Sequence, residues 1–499
     1  MKQFIYFLGM LLFPIFCFTQ NWQKSYDLIP LDEFPNSDRG INIKKTSDGF
    51  VILSGSLIEH NELSCFGLIK IDNDGEVLGK NVYADNQHFL RSFGYSTIMV
   101  DDDNVIVAGD RYTEGLAFEY FLAKMVNLDT VWFKTYTGDF MYYPRTLLKT
   151  RDGNYLIHGD GSGKYNGKTC TDITLVKTDT SGNELWRKTL GYHTVTRNNQ
   201  YGNLIELENG NLALTFAVQE YGFIKQYTHV AMLDSLGNTL WNKRFYTQQN
   251  GNPTITETID GNLLFATNVD TIIPPSQSPF VTFLTTIDRN GNILKEFYFN
   301  PEYVKRNTSI LVDKNGDFVI CGLVDAFYWP TASAWFAKVS REGNLLWERY
   351  YALKNKPYST FSFLDVEELE NGFILSGDIL DTTSVGHYNV NVWVVKLDEN
   401  GCYDPSSCTE ENLLGITEIE ELPDEIQIYP NPSSGLLNIR IKSAPRNMHL
   451  KVYNSIGAEV TNIKNVRDEQ EVNLEVPGTY YFVFADGKRL YSKKVAVVR

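Results

Sequence analysis

Cysteine is scarce in this chain: six residues in 499, one of them, Cys17, inside an N-terminal apolar run. The five that follow show no paired C-x-x-C spacing, which excludes a zinc ribbon and a dense disulfide scaffold. Basic clusters are missing as well. With 45 Lys and Arg against 61 Asp and Glu the formal net charge is -16. Phosphate backbones are held by concentrated Lys and Arg, so no nucleic acid is expected as a partner. No stretch of the repeat region sustains a helical period, which removes helical bundles. The seven histidines, among them His158, His193 and His229, lack metal-ligand spacing, and neither a nucleophile elbow nor a zincin helix motif occurs. No catalytic, cofactor-binding or metal-binding residue is therefore assigned, and no cofactor is expected.

Two short motifs resemble chemistry and fail on context. Gly159-Asp160-Gly161-Ser162-Gly163 follows a strand but opens no helix, and Lys164 is not followed by Ser or Thr, so it reads as a flexible loop. Asp101-Asp102-Asp103 falls on a hairpin turn and reads as a solvated acidic turn. Long apolar runs are absent too. The run from Phe4 to Phe18, after Lys2, is too short to span a bilayer comfortably. Its position makes residues 1–19 a secretory signal peptide, cleaved near Thr19 or Gln20. Phe16 stands where lipoprotein processing wants a small residue, so Cys17 is not read as a lipidation site. The mature chain has no transmembrane segment.

What the chain does have is a repeat. Seven turn dipeptides, Asp48-Gly49, Asp103-Asn104, Asp152-Gly153, Asn209-Gly210, Asp260-Gly261, Asn315-Gly316 and Asn371-Gly372, recur at spacings of 49 to 57 residues, each before an apolar β-rich run. Asn, Asp and Gly tolerate positive φ, so each dipeptide predicts a type I′ hairpin. A second hairpin follows in each unit. Asp72, Asp179, Asp234, Asp288 and Asp398 each stand three residues before a glycine, with Ser340 in the sixth unit and a contraction around Asn127 to Asp129 in the second. Trp132, Trp186, Trp241 and Trp347 then open a fourth strand.

Asn21 to Tyr26 reads as one such Trp-led strand with nothing before it, and the seventh unit lacks one after Gly401. The two fragments complete each other. The predicted fold is all-β, a seven-bladed β-propeller of four-stranded blades over residues 20–408, closed by an N-terminal strand. The alternative, an open array, would leave an unpaired blade at each end. Cys402 and Cys408 flank a short loop just after the last repeat and form a candidate disulfide in an exported protein. Cys65, Cys170 and Cys321 read as isolated buried thiols.

From Thr409 to Glu425 there are seven acidic residues and no Lys or Arg, which predicts a solvated acidic linker. Residues 426–499 then carry short β-like runs, Ile426 to Tyr429, Leu436 to Ile441, Leu450 to Tyr453, Val472 to Leu474, Tyr480 to Phe484 and Leu490 to Val498. These predict a small C-terminal β-sandwich.

Four motifs in that domain occur in order: Tyr429-Pro430-Asn431-Pro432, Val452-Tyr453-Asn454 with Gly457, Gly478-Thr479-Tyr480-Tyr481, and Lys493-Lys494. Together they resemble the type A C-terminal sorting domain of the type IX secretion system of Bacteroidota. The resemblance implies passage through the periplasm, recognition of this domain by the outer-membrane translocon, and a product that is secreted or attached to the cell surface. The repeat region resembles quinoprotein-like and Bacteroidota surface propellers, in which an Asp, a Gly and a later Trp recur in each blade. That likeness is architectural and carries no active site across.

In an up-and-down blade the tight turns share one rim and the long, unequal loops share the other. Variable loops on a rigid scaffold are where binding resides. The loop rim carries Tyr142, Tyr143, Tyr165, Tyr221 and the run Phe327, Tyr328 and Trp329, which is the candidate binding loop for a glycan or a surface protein. The chain thus reads as a binding or scaffolding module. An extracellular polysaccharide-active enzyme is the competing class, since paired carboxylates meet in space and not in sequence.

Overall fold

The computed structural model describes residues 21–28, 38–58, 63–84, 89–91, 97–101, 104–112, 118–137, 141–165, 168–190, 202–219, 226–247, 253–270, 280–299, 304–325, 333–351, 360–381, 389–402, 419–421, 426–442, 448–454, 459–464, 466–474, 476–485 and 490–498. All regular structure among them is strand. The chain divides into two compact units, the first reaching Leu413 and the second running from Leu414 to Arg499, with residues 273–277 counted in the second.

In the first unit the described residues form seven antiparallel sheets. The third shows the plan: Met141–Lys149, Tyr155–Tyr165, Lys168–Thr178 and Glu184–Thr189 pair in chain order. The first, fourth, fifth and sixth, over residues 39–83, 202–247, 254–298 and 304–351, repeat it. In the second sheet the first strand is split into Phe89–Arg91 and Thr97–Asp101, both paired with Asn104–Tyr112. The seventh has three consecutive strands, Thr360–Leu369, Gly372–Asp381 and Asn389–Leu397. Its fourth comes from the other end of the chain: Trp22–Tyr26 lies antiparallel along Asn389–Leu397, with Trp22 opposite Lys396. Such sheets are those of a propeller.

The first hairpins of the third to sixth sheets depart from the type I′ geometry expected of them. That turn needs positive φ at both central residues, yet in the third to sixth sheets only the glycine has it, +84° at Gly153, +81° at Gly210, +76° at Gly261 and +85° at Gly316. The Gly153 amide donates to the Thr150 carbonyl at 2.7 Å and the Thr150 amide to the Asn154 carbonyl at 2.8 Å, a type I turn followed by a left-handed glycine. This leaves Asp152 free to accept from the Asn154 amide, a bond that the I′ form would forfeit.

The second hairpin explains its own spacing. Asp179 Oδ1 accepts from the amides of Ser181 and Asn183 at 2.9 and 2.8 Å, and Gly182 between them takes φ +76°. Asp72, Asp234, Asp288 and Asp398 make the same two bonds. Lysines at the ends of the third strands tie the two hairpins of a sheet together: Lys70 to Asp48, Lys177 to Asp152 and Lys338 to Asp313.

Neighbouring sheets share apolar clusters in sequence, from the first and second through to the sixth and seventh. A further cluster joins the seventh to the first, with Tyr26, Val392 and Val394 packed against Ile43, Phe50 and Ile69. The tryptophans lie at the same boundaries. A Cβ on Gly182 would sit 2.9 Å from Trp132, and one on Gly291 or Gly401 would sit 3.0 or 2.9 Å from Trp241 or Trp347. Only a glycine, left-handed and without a side chain, lets the indole lie flat on the turn of the next sheet. Trp22 makes the same contact with Gly75, and Tyr26 Oη donates to the Gly75 carbonyl at 2.8 Å as Tyr136 Oη does to that of Gly182.

The second unit has two sheets around one core. Ile426–Tyr429, Leu436–Ile441 and Glu469–Asn473 form one; Ile419–Glu421, Leu490–Val497, Gly478–Ala485, His449–Asn454 and Glu459–Ile463 form the other. Leu437, Leu450, Phe482, Phe484 and Val495 fill the space between. Ile419–Glu421 runs parallel to Leu490–Val497, so part of the expected linker is a sheet strand. The linker's acidity, read as solvation, hid a three-residue segment able to cover an open sheet edge.

Candidate functional site: the axial cavity and the sorting surface

The innermost strands of all seven sheets line one cavity of about 610 Å³. Asn42, Thr97, Thr146, Asn203, Thr254, Ser309 and Asp365 occupy one register level there, opposite Leu53, Ala108, His158, Thr215, Ala266, Cys321 and Ser376. Every member is polar, and the next residue in each strand is aliphatic and belongs to an inter-sheet cluster.

The polar level knits the sheets together. Thr146 Oγ1 accepts from the Leu204 amide at 3.3 Å, and Thr254 Oγ1 from Asn307 Nδ2 at 3.2 Å. Asp365 does most. It sits at a bulge in Thr360–Leu369, where its Oδ2 accepts from the Ile43 amide at 3.2 Å and Lys44 Nζ at 3.0 Å, and its Oδ1 from Ser309 Oγ at 3.2 Å. One carboxylate thereby joins the sixth, seventh and first sheets. Lys44 also pairs with Glu367. Burial works against the Lys44 charge, but Asp365 and then Glu367 outweigh it and hold the amine above its ordinary value. Burial raises the Glu367 carboxyl above its own, with Lys44 pulling the other way.

Bulges also deliver residues that strand alternation would not. Arg145 falls at one, between Pro144 and Thr146, and pairs with Asp160 at 2.7 Å, both side chains buried. Burial raises the Asp160 carboxyl to about 6 even with Arg145 opposing. His158 shares a 3.4 Å contact with Thr146 Oγ1, and burial followed by the Arg145 charge lowers its imidazole to about 3. Asp160, read from sequence as part of a flexible loop, lies in the strand Tyr155–Tyr165 and is buried. Arg39 donates from Nε to Asp378 at 2.5 Å.

Sequence reading missed this cavity. Its signal was present: a polar residue stands six positions before the first residue of every turn dipeptide. Phe327, Tyr328 and Trp329 lie outside the described residues, as do Tyr221 and Cys408. Tyr143, another of the expected loop aromatics, holds a φ of +49° with the Arg145 guanidinium 5.4 Å from its ring centre. Cys402 is buried and disulfide-bonded, and its carbonyl accepts from Asn21 Nδ2 at 3.0 Å. Cys65 and Cys321 are buried. Among the described residues no group of three or more His, Cys, Asp or Glu could hold a metal ion.

The sorting motifs converge on the strand Leu490–Val497. Asn431 Nδ2 donates to the Lys494 carbonyl, the Ser433 amide donates to the Ala496 carbonyl at 2.8 Å, and the Val498 amide donates to the Ser433 carbonyl at 2.8 Å. Gly478 pairs with Val497 from the other side. Tyr429, Pro430, Asn431, Pro432, Lys493 and Lys494 are exposed, and three motifs far apart in sequence meet at one strand.

Residues 427–498 match the secretion system C-terminal sorting domain. No curated protein matches the chain. Among solved structures it is similar to PorZ, a surface component of the type IX secretion system of Porphyromonas gingivalis, at 13% identity and a TM-score of 0.39 over 92% of this chain; the chain spans 59% of the PorZ chain. It is also similar to an ulvan lyase, at 11% identity and a TM-score of 0.50 over 74% of this chain and 96% of that one. A third likeness is to the β-propeller domain of the trilobed protease of Pyrococcus furiosus, at 9% identity and a TM-score of 0.44 over 72% and 93%. At such an identity the likeness to the ulvan lyase is one of fold alone. The sorting domain implies secretion or attachment to the cell surface. Among the described residues no helix is long and apolar enough to cross a membrane.

Proposed function

We propose that this chain, a propeller carrying a secretion-system sorting domain, is an exported binding module of a bacterium of the Bacteroidota type. In this reading residues 1–19 are a signal peptide, residues 20–408 a closed seven-bladed propeller, residues 409–425 a linker and residues 426–499 the domain handed to the type IX translocon from the periplasm. The sorting-domain match supports the address. The docking of Trp22 on Gly75 supports closure, because it repeats the contact made between consecutive sheets. A Cys402–Cys408 bond would fasten the chain where the ring closes.

The binding reading is carried by the axial cavity, whose wall sets hydroxyl, amide and charged groups among aliphatic ones, a mixture suited to a small ligand. The loop rim with Phe327, Tyr328 and Trp329 is the second surface, for a glycan or surface protein. Capture from cell-surface and glycan preparations by the secreted protein tests the module. Replacing the three aromatics with Ala should weaken capture through the rim, and retention of no partner by the intact protein would overturn the reading.

One observation favours a polysaccharide-active enzyme instead: Asp365 and Glu367 both contact Lys44, which brings two carboxylates together beside the cavity. Turnover of a polysaccharide by the purified protein, lost in Glu367→Gln, would promote that reading over binding.

A further inference from the structure

We propose that the cleft between the fifth and sixth sheets, on the rim of tight turns, is a docking pocket for a partner peptide that presents an aromatic ring with a carboxylate beside it. This goes beyond the binding reading above, which places ligands in the axial cavity and on the opposite rim.

The first argument compares the sheet boundaries with one another. At five of them an indole from a fourth strand covers a left-handed glycine of the next sheet: Trp22 on Gly75, Trp132 on Gly182, Trp186 on Gly237, Trp241 on Gly291 and Trp347 on Gly401. Where the fifth sheet meets the sixth the glycine is kept, Gly343 at φ +90°, but Lys295 holds the tryptophan's register, opposite Thr286. Its methylenes cover Gly343 while its amine reaches the Glu342 carbonyl. A carboxylate is missing from the same boundary. The amides of Arg151, Glu208 and Lys314 each donate to a glutamate of the following sheet, Glu206, Glu257 and Glu368. The corresponding residues here are Ile259 and Val312; Val312 stands opposite Phe318 as Glu257 stands opposite Leu263, and it offers no acceptor.

The second argument is the space left behind. A cleft of about 170 Å³ opens among Ile259, Asp260, Leu294, Lys295, Phe318 and Arg341. Sites for whole small molecules run to roughly 300–1,000 Å³, so this one has room for a single side chain. Its apolar lining runs from the buried Phe318 to Ile259, which is 61% exposed where the equivalent Arg151, Glu208 and Lys314 are charged. An apolar lip that continues outward suits a longer ligand whose ring enters the cleft.

The third argument concerns Arg341, two residues before Gly343 as Arg289 is two before Gly291. Arg289 pairs with Glu257 and its carbonyl accepts from Trp241 Nε1 at 2.9 Å. With Val312 and Lys295 in those two places, Arg341 has neither partner, and its exposed guanidinium turns to the adjacent Glu342 at 3.0 Å. Asp260 and Glu342 offset Lys295 and Arg341, so net charge does not select the ligand. The selection lies in the two groups that the chain supplies itself at the third-to-fourth, fourth-to-fifth and sixth-to-seventh boundaries and omits here. Cations also stand beside the docked indoles, Lys188 and Lys243 at 5.9 and 5.8 Å from the ring centres of Trp186 and Trp241, a part that Lys295 and Arg341 take for an incoming ring.

The test is saturation-transfer NMR of the full-length secreted protein with three probes, acetyl-Trp-Glu-amide, acetyl-Trp-Gln-amide and acetyl-Ala-Glu-amide. Saturable transfer to the indole of the Trp-Glu peptide is expected, with the Trp-Gln peptide about tenfold weaker, the worth of one charge-assisted hydrogen bond, and no binding of Ala-Glu. Lys295→Trp restores the usual indole, so it should raise the melting temperature and remove binding. Arg341→Gln should bring the Trp-Glu affinity down to that of Trp-Gln with the melting temperature unchanged, which keeps the test independent of how Lys295→Trp folds. Undiminished binding by folded Lys295→Trp would overturn the proposal, as would equal binding of Trp-Glu and Trp-Gln or no binding of either. Free indole-3-acetate binding more tightly than the Trp-Glu peptide would overturn the assignment to a peptide. Capture of a glycan or surface protein through the loop rim is a separate result, and it leaves this pocket to be decided by Lys295→Trp and Arg341→Gln.

Discussion

The side-chain amide of Asn431 brackets the last strand beside Lys494, donating to the Lys494 carbonyl at 3.1 Å and accepting from the Ala496 amide at 3.0 Å. Two sorting motifs more than sixty positions apart are thus one structural unit. Asn431→Asp keeps the acceptor, removes the donor and sets a carboxylate against a carbonyl. The expected cost is about 1 kcal/mol, with export reduced and protein retained in the periplasmic fraction. Normal export of this variant would separate the Tyr-Pro-Asn-Pro segment from the Lys-Lys strand as signals.

The Trp22 contact with Gly75 offers a test of closure. If the seventh and first sheets meet as the others do, Trp22→Ala should cost about 2 kcal/mol in urea unfolding, less than a fully buried tryptophan because the indole is partly exposed. Trp186→Ala, at the boundary with Gly237, serves as the internal standard. A Trp22→Ala cost near zero beside a large Trp186→Ala cost would describe a fraying end instead of a closed ring.

Asp365 is expected to be the most sensitive polar position of the inner wall. Asp365→Asn weakens its hold on Lys44 and on the Ile43 amide at once. The loss should be about 2 kcal/mol, below the 3–5 of a fully buried pair because Lys44 is partly exposed. Adding Lys44→Met should restore part of it. Additive losses in that double variant would mean the two residues do not act as a pair.

Acid should act on His158 and Asp160 with opposite signs. The folded imidazole titrates at about 3 against about 6.5 when unfolded, so below that value the unfolded chain binds the extra proton and stability is lost as pH falls. The folded Asp160 carboxyl titrates at about 6 against about 3.9 when unfolded. There the native state holds the extra proton, so its destabilising contribution is absent at low pH and grows as pH rises from roughly 4 to 6. Asp152, held low by Lys177 and Thr150 against burial, adds stability that is present above the unfolded carboxylate value and lost below it. Melting temperatures of His158→Gln and the parent from pH 4 to 7 should converge toward the acid end if His158 is buried neutral. A constant offset would place the imidazole in water.

The strands and their tight turns were legible because they are written in local chemistry. Asp179 must stand three before Gly182, since one carboxylate serves two amides of the same turn. The turn type was misread because Asn and Asp tolerate positive φ without needing it, and Asp152 has a better use for its carboxylate outside that region. The polar wall escaped notice for another reason. Asn42, Thr146, Ser309 and Asp365 share a position but no identity, and what unites them is hydrogen bonding to neighbouring sheets. Arg145 and Asp365 owe their places to bulges, which break the alternation that sequence reading relies on. The Trp-to-Gly docking lies between units, where a comparison of one repeat with the next cannot see it.

The pairing of Trp22 with Lys396 also bears on the order in which the molecule can assemble. These partners stand 374 positions apart, while hairpins within a sheet join neighbours. The added loop entropy relative to a contact across one repeat is only about 2 kcal/mol, a small debt at equilibrium. In time the asymmetry is large. The segment synthesised first belongs to the sheet synthesised last, so it has no native partner until nearly the whole repeat region has been delivered. In the closed ring proposed above, this seam would be the last pairing to form.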